Sequence, residues 1–437
     1  MATLRENPFP LPASLGRRNA PTLDLQELAA RSATFRTLEA TIARPGLERP
    51  RAVSSAHGPL RHILFAYPGY AGGEFGYRGV YEDLFSKLPE TTRLTVLSHP
   101  TVTADLQAAL EAASASSRAT IVEAPAHLNF LVWAEDPYVA VQDAADDPPT
   151  TYLVEPFTFT RVGDAAMADL VADATAVQST QSPLYFQGGN VLIGDDFVLI
   201  GADYPANTLA LIDRYRHIDV PAGVDLGEFV RGLYRETLDP DRDVRYVGTK
   251  LPVPQYMRRR ITVDGQPWTE ELYLGTGTAQ PIFHIDMFIS LAGRDADGRY
   301  RLLVGSPPLA SEILGAPTPE HAMAAIFDDV AAQLERQGFS VLRNPLPLTW
   351  VDDRSTRTRT WYFATANNSL VQIDDAAGDA VWLPSYGHGP WAYLAPIDAE
   401  MKRIWEGLGF EVHQLGDFNP FAQNLGSVHC IKKYLER

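Results

Sequence analysis

The chain carries a single cysteine, Cys430, directly after His429 in the segment LGSVHCIKKY. A thiolate is a strong nucleophile, and local charge and burial control its formation. A lone cysteine is more often an inert buried residue. Here Gly426, Ser427 and His429 form a short polar turn after DFNPFAQN, and a thiol in a turn beside an imidazole ionises more readily. Three other stretches set reactive residues against apolar, strand-like runs. VWAEDPYVAV places Asp136 between Trp133 and Tyr138, where Asp-Pro alone reads first as a turn starter. YFQGGNVLIG places Gly188 and Gly189 inside a strand pattern, which implies a bulge or a close approach. It lacks the extended glycine pattern and following helix of a phosphate loop. PIFHIDMFISL carries His284 and Asp286 two apart, so on a strand both point to one face. Ile285, Met287 and Ile289 would take the other face, with Phe288 and Leu291 flanking the polar pair. A buried imidazole and carboxylate need partners or a task. Metal binding is the weaker reading, because no further His or Cys cluster lies nearby. Together these stretches supply a thiol, an imidazole and two carboxylates.

Elements must bring these residues together. Residues 1–55, rich in Pro, Arg and Ala, read as an arm, with one helix expected in TLDLQELAARSATFRTLEATIA, capped by Asp24. Residues 56–437 read as the main domain. HILFAYPG is a strand and turn, YRGVYEDLFSKLPE a helix, RLTVLSH a strand, ADLQAALEAAS a helix and ATIVEAP a strand. FLVWAEDPYVAVQD reads as a strand that breaks at Asp136-Pro137 and resumes. PLYFQGGNVLIGDDFVLIGAD reads as two strands around a Gly-Gly and an Asp-Asp turn. EHAMAAIFDDVAAQLERQG is a strongly amphipathic helix before the strand SVLRNP, and PIDAEMKRIWEGLG is a helix before FEVHQLG. The order of paired strands, helix and strand recurs about five times without residue identity between blocks. Such a recurring small unit predicts an α/β, radially repeated architecture. A doubly wound sheet fits the helix–strand alternation, but too many hairpins interrupt it. Residues 205–280 read as an insertion of mixed helix and strand, of the kind that shapes substrate access.

The totals exclude several classes. The 437 residues carry a net charge of −17, which argues against non-specific binding to nucleic acid or anionic lipid. The start, MATLRENPFPLPASLGRRNA, has no apolar stretch of a secretory signal, and no apolar run approaches the length of a membrane span. One cysteine excludes an intramolecular disulfide and a Cys-rich metal site. It fits a reducing, cytoplasmic compartment.

In their order along the chain, these segments resemble the guanidino-group-modifying enzymes, the pentein superfamily. The likeness covers roughly residues 60–437 and is best to the agmatine deiminase and bacterial peptidylarginine deiminase branch. It implies a five-bladed α/β propeller with pseudo-fivefold symmetry and an active site in its central channel. WAEDP resembles the Trp-x-x-Asp motif, which gives Asp136 the grip on a guanidinium. FQGGN resembles the Gly-Gly segment, and with it Trp133, Gln187, Gly188, Gly189 and Asn190 are implied in substrate binding. FHIDMF resembles the His-x-Asp motif, giving His284 as acid/base and Asp286 as a second clamp. ANNSLV and VWLPSYG resemble an Asn-rich hairpin and a Val-Pro-x-(Tyr/Phe)-Gly stretch. LGSVHCIKKY resembles the terminal Gly-x-(Val/Ile)-His-Cys motif, giving Cys430 as nucleophile. Gln187 departs from the Glu or Asp of several deiminases and adds no charge. That departs from a simple free-arginine deiminase. Glu135 replaces an Arg often seen before the motif Asp.

The resemblance implies hydrolysis of a substituted guanidine to a ureido product and ammonia, through a covalent amidino-thioether on cysteine. The substrate would be arginine-like, agmatine-like or peptidyl-arginine, with neither cofactor nor metal. An amidinotransferase passing the amidino group to an amine is the alternative, and a catalytically silent binding propeller the third. A homodimer is expected by family analogy alone.

Overall fold

The computed structural model describes residues 47–73, 76–254, 256–273 and 279–437. The helix expected in the arm lies outside these residues. The end of the arm is structured: β1 (Pro50–Ala52) pairs antiparallel with a later strand. Next come β2 (His62–Tyr67), α1 (Tyr77–Lys87), β3 (Arg93–Ser98), α2 (Thr103–Ala112) and β4 (Ala119–Glu123). They are followed by β5 (Val139–Asp143), β6 (Thr150–Glu155), α3 (Met167–Ala174) and β7 (Gln178–Gln181). A third block holds β8 (Val191–Ile193), β9 (Phe197–Gly201), α4 (Asp203–Tyr215), α5 (Leu226–Leu238) and β10 (Asp243–Val247). After the hairpin β11 (Tyr256–Val263) and β12 (Gln266–Tyr273) come β13 (Ile289–Arg294), β14 (Tyr300–Ser306), α6 (Pro307–Leu314), α7 (Ala324–Arg336) and β15 (Ser340–Pro345). A second hairpin, β16 (Leu348–Asp353) and β17 (Thr358–Phe363), precedes β18 (Leu370–Gln372), β19 (Ala380–Ser385), α8 (Ala395–Gly407), β20 (Glu411–Asp417) and β21 (Lys432–Glu436).

The molecule is mixed α/β with several small sheets, built on one recurring connection. Two antiparallel strands are followed by a helical crossover to a third strand, parallel to the second. This holds for β5-β6-β7, β8-β9-β10, β13-β14-β15 and β18-β19-β20. The fifth instance joins the two ends of the described chain: β21 lies antiparallel to β2, and β2 runs parallel to β3. Crossovers between parallel strands need helices, and the helices cover the sheets. That is why HILFAY in β2 is apolar almost throughout and buried at its last five positions. Helix α1 buries Tyr77, Val80, Tyr81, Leu84 and Phe85, the spacing of a single helical face. Asp225 caps α5 by accepting from the Glu228 N–H at 3.0 Å. Gly315, at φ 62°, ends α6 in the left-handed conformation that glycine adopts without strain. Among the described residues, no helix is long and apolar enough to cross a membrane.

Three expectations need correction. Residues 205–280 are not one insertion. Helices α4 and α5 lead to β10, which pairs parallel with β9 and completes a regular unit. Of the strands in this stretch, only β11 and β12 lie outside the units, in a four-stranded sheet with β17 and β16. Next, WAEDP is not part of a strand. Turn bonds from Ala134 N to Val132 O (2.9 Å) and Asp136 N to Trp133 O (3.2 Å) replace a ladder, and β5 starts only at Val139. Finally, His284 and Asp286 do not share a strand face. Ile285–Met287 forms a single 3-10 turn ahead of β13. The Ile285 N–H, which a strand would offer to a neighbour's carbonyl, is taken by the Asn190 side-chain oxygen at 3.0 Å.

Candidate active site

Each reactive segment is a short turn just before the first strand of a unit. Glu135 and Asp136 precede β5, Gln187–Asn190 precede β8, and His284–Met287 precede β13. Asn367 and Asn368 precede β18, and His429 and Cys430 precede β21. Hydrogen bonds link these five turns in a closed circuit. Glu135 N donates to Cys430 O (3.0 Å), and Gly188 N to Asp136 O (3.0 Å). Asn190 Oδ1 accepts from Ile285 N, and Asn368 Nδ2 donates to Asp286 O at 3.4 Å. Asn368 Oδ1 then accepts from His429 N (2.9 Å) and Cys430 N (3.2 Å), which returns the circuit to its start.

The structure brings Cys430, His284, Asp136 and Asp286 together. All four are buried. Cys430 Sγ lies 3.2 Å from Asn368 Nδ2 and 3.7 Å from Asp286 Oδ2. His284 Nε2 is 2.9 Å from Gln187 Oε1, and its Nδ1 is 3.6 Å from Asp136 Oδ1. Gln187 therefore orients the imidazole through a neutral hydrogen bond. Asp286 Oδ2 accepts from His429 Nδ1 at 2.9 Å. Asp136 Oδ2 accepts from Arg161 Nη2 at 2.7 Å, and Arg161 Nε lies 2.6 Å from Asp164 Oδ2. Asp136 Oδ1 and Asp286 Oδ1 are buried and have no hydrogen-bond partner.

Burial sets the resting protonation. The easier ionisation expected of a thiol beside His429 is not found: burial pushes the Cys430 thiol well up, the Asp286 and Asp136 carboxylates push it further, and the His429 ring is turned to Asp286. Burial lowers His284, against the pull of Asp136. It raises Asp286, helped by Asp136 and Glu135 and opposed by Lys432. Without a cation between the carboxylates, the resting thiol is protonated at neutral pH.

A second buried cluster backs the site. Glu135 accepts from Lys432 Nζ (2.8 Å) and Lys433 Nζ (2.7 Å), with all three side chains buried. Trp133 packs against Gly426, where a Cβ would lie 2.2 Å from the indole, and meets Phe421 edge-on. It braces the Asp136 and Cys430 turns. Asn190, expected to bind substrate, is instead a brace between units: its Nδ2 donates to Asp203 Oδ1 (3.0 Å), and its Oδ1 accepts from Gln280 Nε2 (3.0 Å). The glycine pair serves close approach, not a strand bulge. A Cβ on Gly188 would lie 1.9 Å from Glu135 O. A Cβ on Gly189 would lie 2.6 Å from His284 Nδ1 and 3.2 Å from Asp286 Oδ2. Gly189→Ala is expected to displace the imidazole, which nitrogen NMR of the His284 ring in the variant would read as a shifted signal. Thermal unfolding of the same variant should stay within a few degrees of the parent.

Sequence reasoning did not assign His429, Asn368, Arg161, Lys432 or Lys433 to the site. ANNS and HC sat inside quoted segments and were findable. Arg161 and the lysines gave no local signal. Among the described residues, no group of three or more His, Cys, Asp or Glu is placed to hold a metal ion. No protein-family model matches the chain, and no curated protein matches it significantly.

Proposed function

We propose that the chain is a guanidine deiminase of the pentein type, hydrolysing a substituted guanidine to a ureido product and ammonia. Five units of one connection, with their leading turns joined in a closed hydrogen-bond circuit, support the reading of a five-bladed propeller with a central site. One observation carries the chemistry: beside a buried thiol and imidazole, two buried carboxylates each keep an oxygen without a partner. Buried anions require a cation or a proton. A guanidinium is planar and presents several N–H donors that match paired carboxylates. Asp136 already pairs with one guanidinium, that of Arg161, through Oδ2, which leaves Oδ1 for a second.

In this reading the substrate sits between Asp136 and Asp286 with its central carbon facing Cys430. The arriving cation offsets the two carboxylates that hold the thiol protonated, and the thiolate forms. Its proton passes to His284. Sγ attacks the guanidinium carbon, giving a tetrahedral adduct. His284 returns the proton to the departing amine as the C–N bond breaks, leaving an amidino-thioether. His284 then takes a proton from water. The hydroxide adds to the same carbon, the C–S bond breaks, the added oxygen loses its proton to water as the ureido product leaves, and His284 returns its proton to the Cys430 sulfur. The free substrates that fit are arginine-like, agmatine-like or peptidyl guanidines.

The test is incubation with arginine, agmatine and arginyl peptides, with and without an amine acceptor. Ammonia and a ureido product in water alone are expected. Product that forms only with the acceptor would replace hydrolysis by amidino transfer. No turnover of any guanidine would sink the reading.

A further inference from the structure

We propose that His429 is a positioning residue of this site: its Nδ1–H fixes the Asp286 carboxylate so that Oδ1 faces the substrate, and one buried water holds its Nε2. The role in turnover rests on the deiminase reading; the state of the ring does not.

His429 is held from both sides. Its backbone N–H donates to Asn368 Oδ1 at 2.9 Å, and its Nδ1 lies 2.9 Å from Asp286 Oδ2. The ring is buried, and Nε2 has no hydrogen-bond partner. A neutral imidazole carries one N–H, and beside a carboxylate that proton belongs on the nitrogen facing it. Nε2 is then an acceptor in need of a donor. A cavity of about 10 Å³ lies against this ring, lined also by Asp286, Ser290, Asn367 and Ser369. That is room for about one water. Asn367 Oδ1 is likewise buried without a partner. A single water in the cavity donates a hydrogen to Nε2.

The surroundings keep the ring neutral. Burial disfavours the imidazolium, and Lys432, Lys433, Arg437 and His284 add to this. Asp286 faces the opposite pressure: burial, Asp136 and Glu135 favour its protonated form, with Lys432 against them and the Cys430 thiol 3.7 Å away. A donated N–H stabilises the ionised carboxylate. His429 thus acts on substrate binding through Asp286.

Two variants and one spectrum test this. His429→Asn keeps an N–H donor near the Nδ1 position, and His429→Leu removes it. Losing the donor raises the pH at which Asp286 ionises. The acid limb of kcat/KM in His429→Leu should therefore move to higher pH, by about one unit. His429→Asn should return the limb towards the parent position. Nitrogen NMR of the histidine rings in the substrate-free parent protein should show His429 protonated at Nδ1 and bare at Nε2. A slowed His429→Leu with an unmoved limb would reduce the residue to a structural role and overturn the proposal, as would an Nε2-protonated ring or an imidazolium. Should the parent turn over no guanidine, the deiminase reading fails by itself and the spectrum alone decides the ring's state.

Discussion

Replacing Cys430 by alanine is expected to abolish guanidine turnover, by about 10⁴-fold or more, while the chain stays folded. The size follows from the geometry. Asp136 and Asp286 are placed to bind a cation, a carboxylate is a far weaker nucleophile than a thiolate, and His284, held by Gln187 at 2.9 Å, is placed as a proton carrier. No second thiol exists in the chain. Stability should change little, because sulfur is a weak hydrogen-bond acceptor and Asn368 Nδ2 keeps its bond to Asp286 O. Binding of a guanidine to the variant, followed by calorimetry, should persist, since the carboxylates remain. Full activity in Cys430→Ala would remove the covalent route altogether.

The largest effect on stability is expected at Glu135. Its carboxylate is shared by two buried ammonium groups, and Glu135→Gln leaves both without a counter-charge. Breaking one buried pair in this way costs about 3–5 kcal/mol, so the variant should lose at least about 4 kcal/mol in urea unfolding at pH 7. The pH dependence has a definite sign. Burial lowers Lys432 and Lys433 in the folded state, and Glu135 opposes this. Without Glu135 they fall further, so the folded state binds fewer protons than the unfolded chain. Stability then rises with pH, and the deficit of Glu135→Gln should shrink as the pH is raised from 7 towards about 10. A deficit that is constant with pH would mean that the two lysines do not carry the effect.

The residues that gather at the candidate site were legible in the sequence because their types are unusual where they stand. A lone thiol, His284 and Asp286 in an apolar run, and Asp136 before Pro137 all stand out from their surroundings. Their distance from one another along the chain hid nothing, since each marks the head of a recurring unit. Local conformation was less legible. FHIDMFISL alternates like a strand, yet a side chain 95 positions away, Asn190, captures the Ile285 N–H and leaves a 3-10 turn. Alternation cannot register a tertiary bond of that kind. IKKYL reads as a final strand or turn, and only the folded contact with Glu135 shows why Lys432 and Lys433 are buried. In α4 and α5 the helix pattern was visible. What was missing was the partner of β10, which alone shows that they complete a unit. Arg161 sits in PFTFTRVGD, where nothing nearby announces that its guanidinium reaches Asp136.

The pairing of β2 with β21 has a consequence for how the candidate site is assembled. Ile63 meets Tyr434, so this contact closes nearly the whole described chain, and such long-range closure is entropically slow. The other four units are local and can organise first. Cys430 stands on the segment that is expected to dock last into the circuit. Refolding followed by recovered turnover therefore reports this closing contact, while circular dichroism reports the earlier units. The two signals should separate in time.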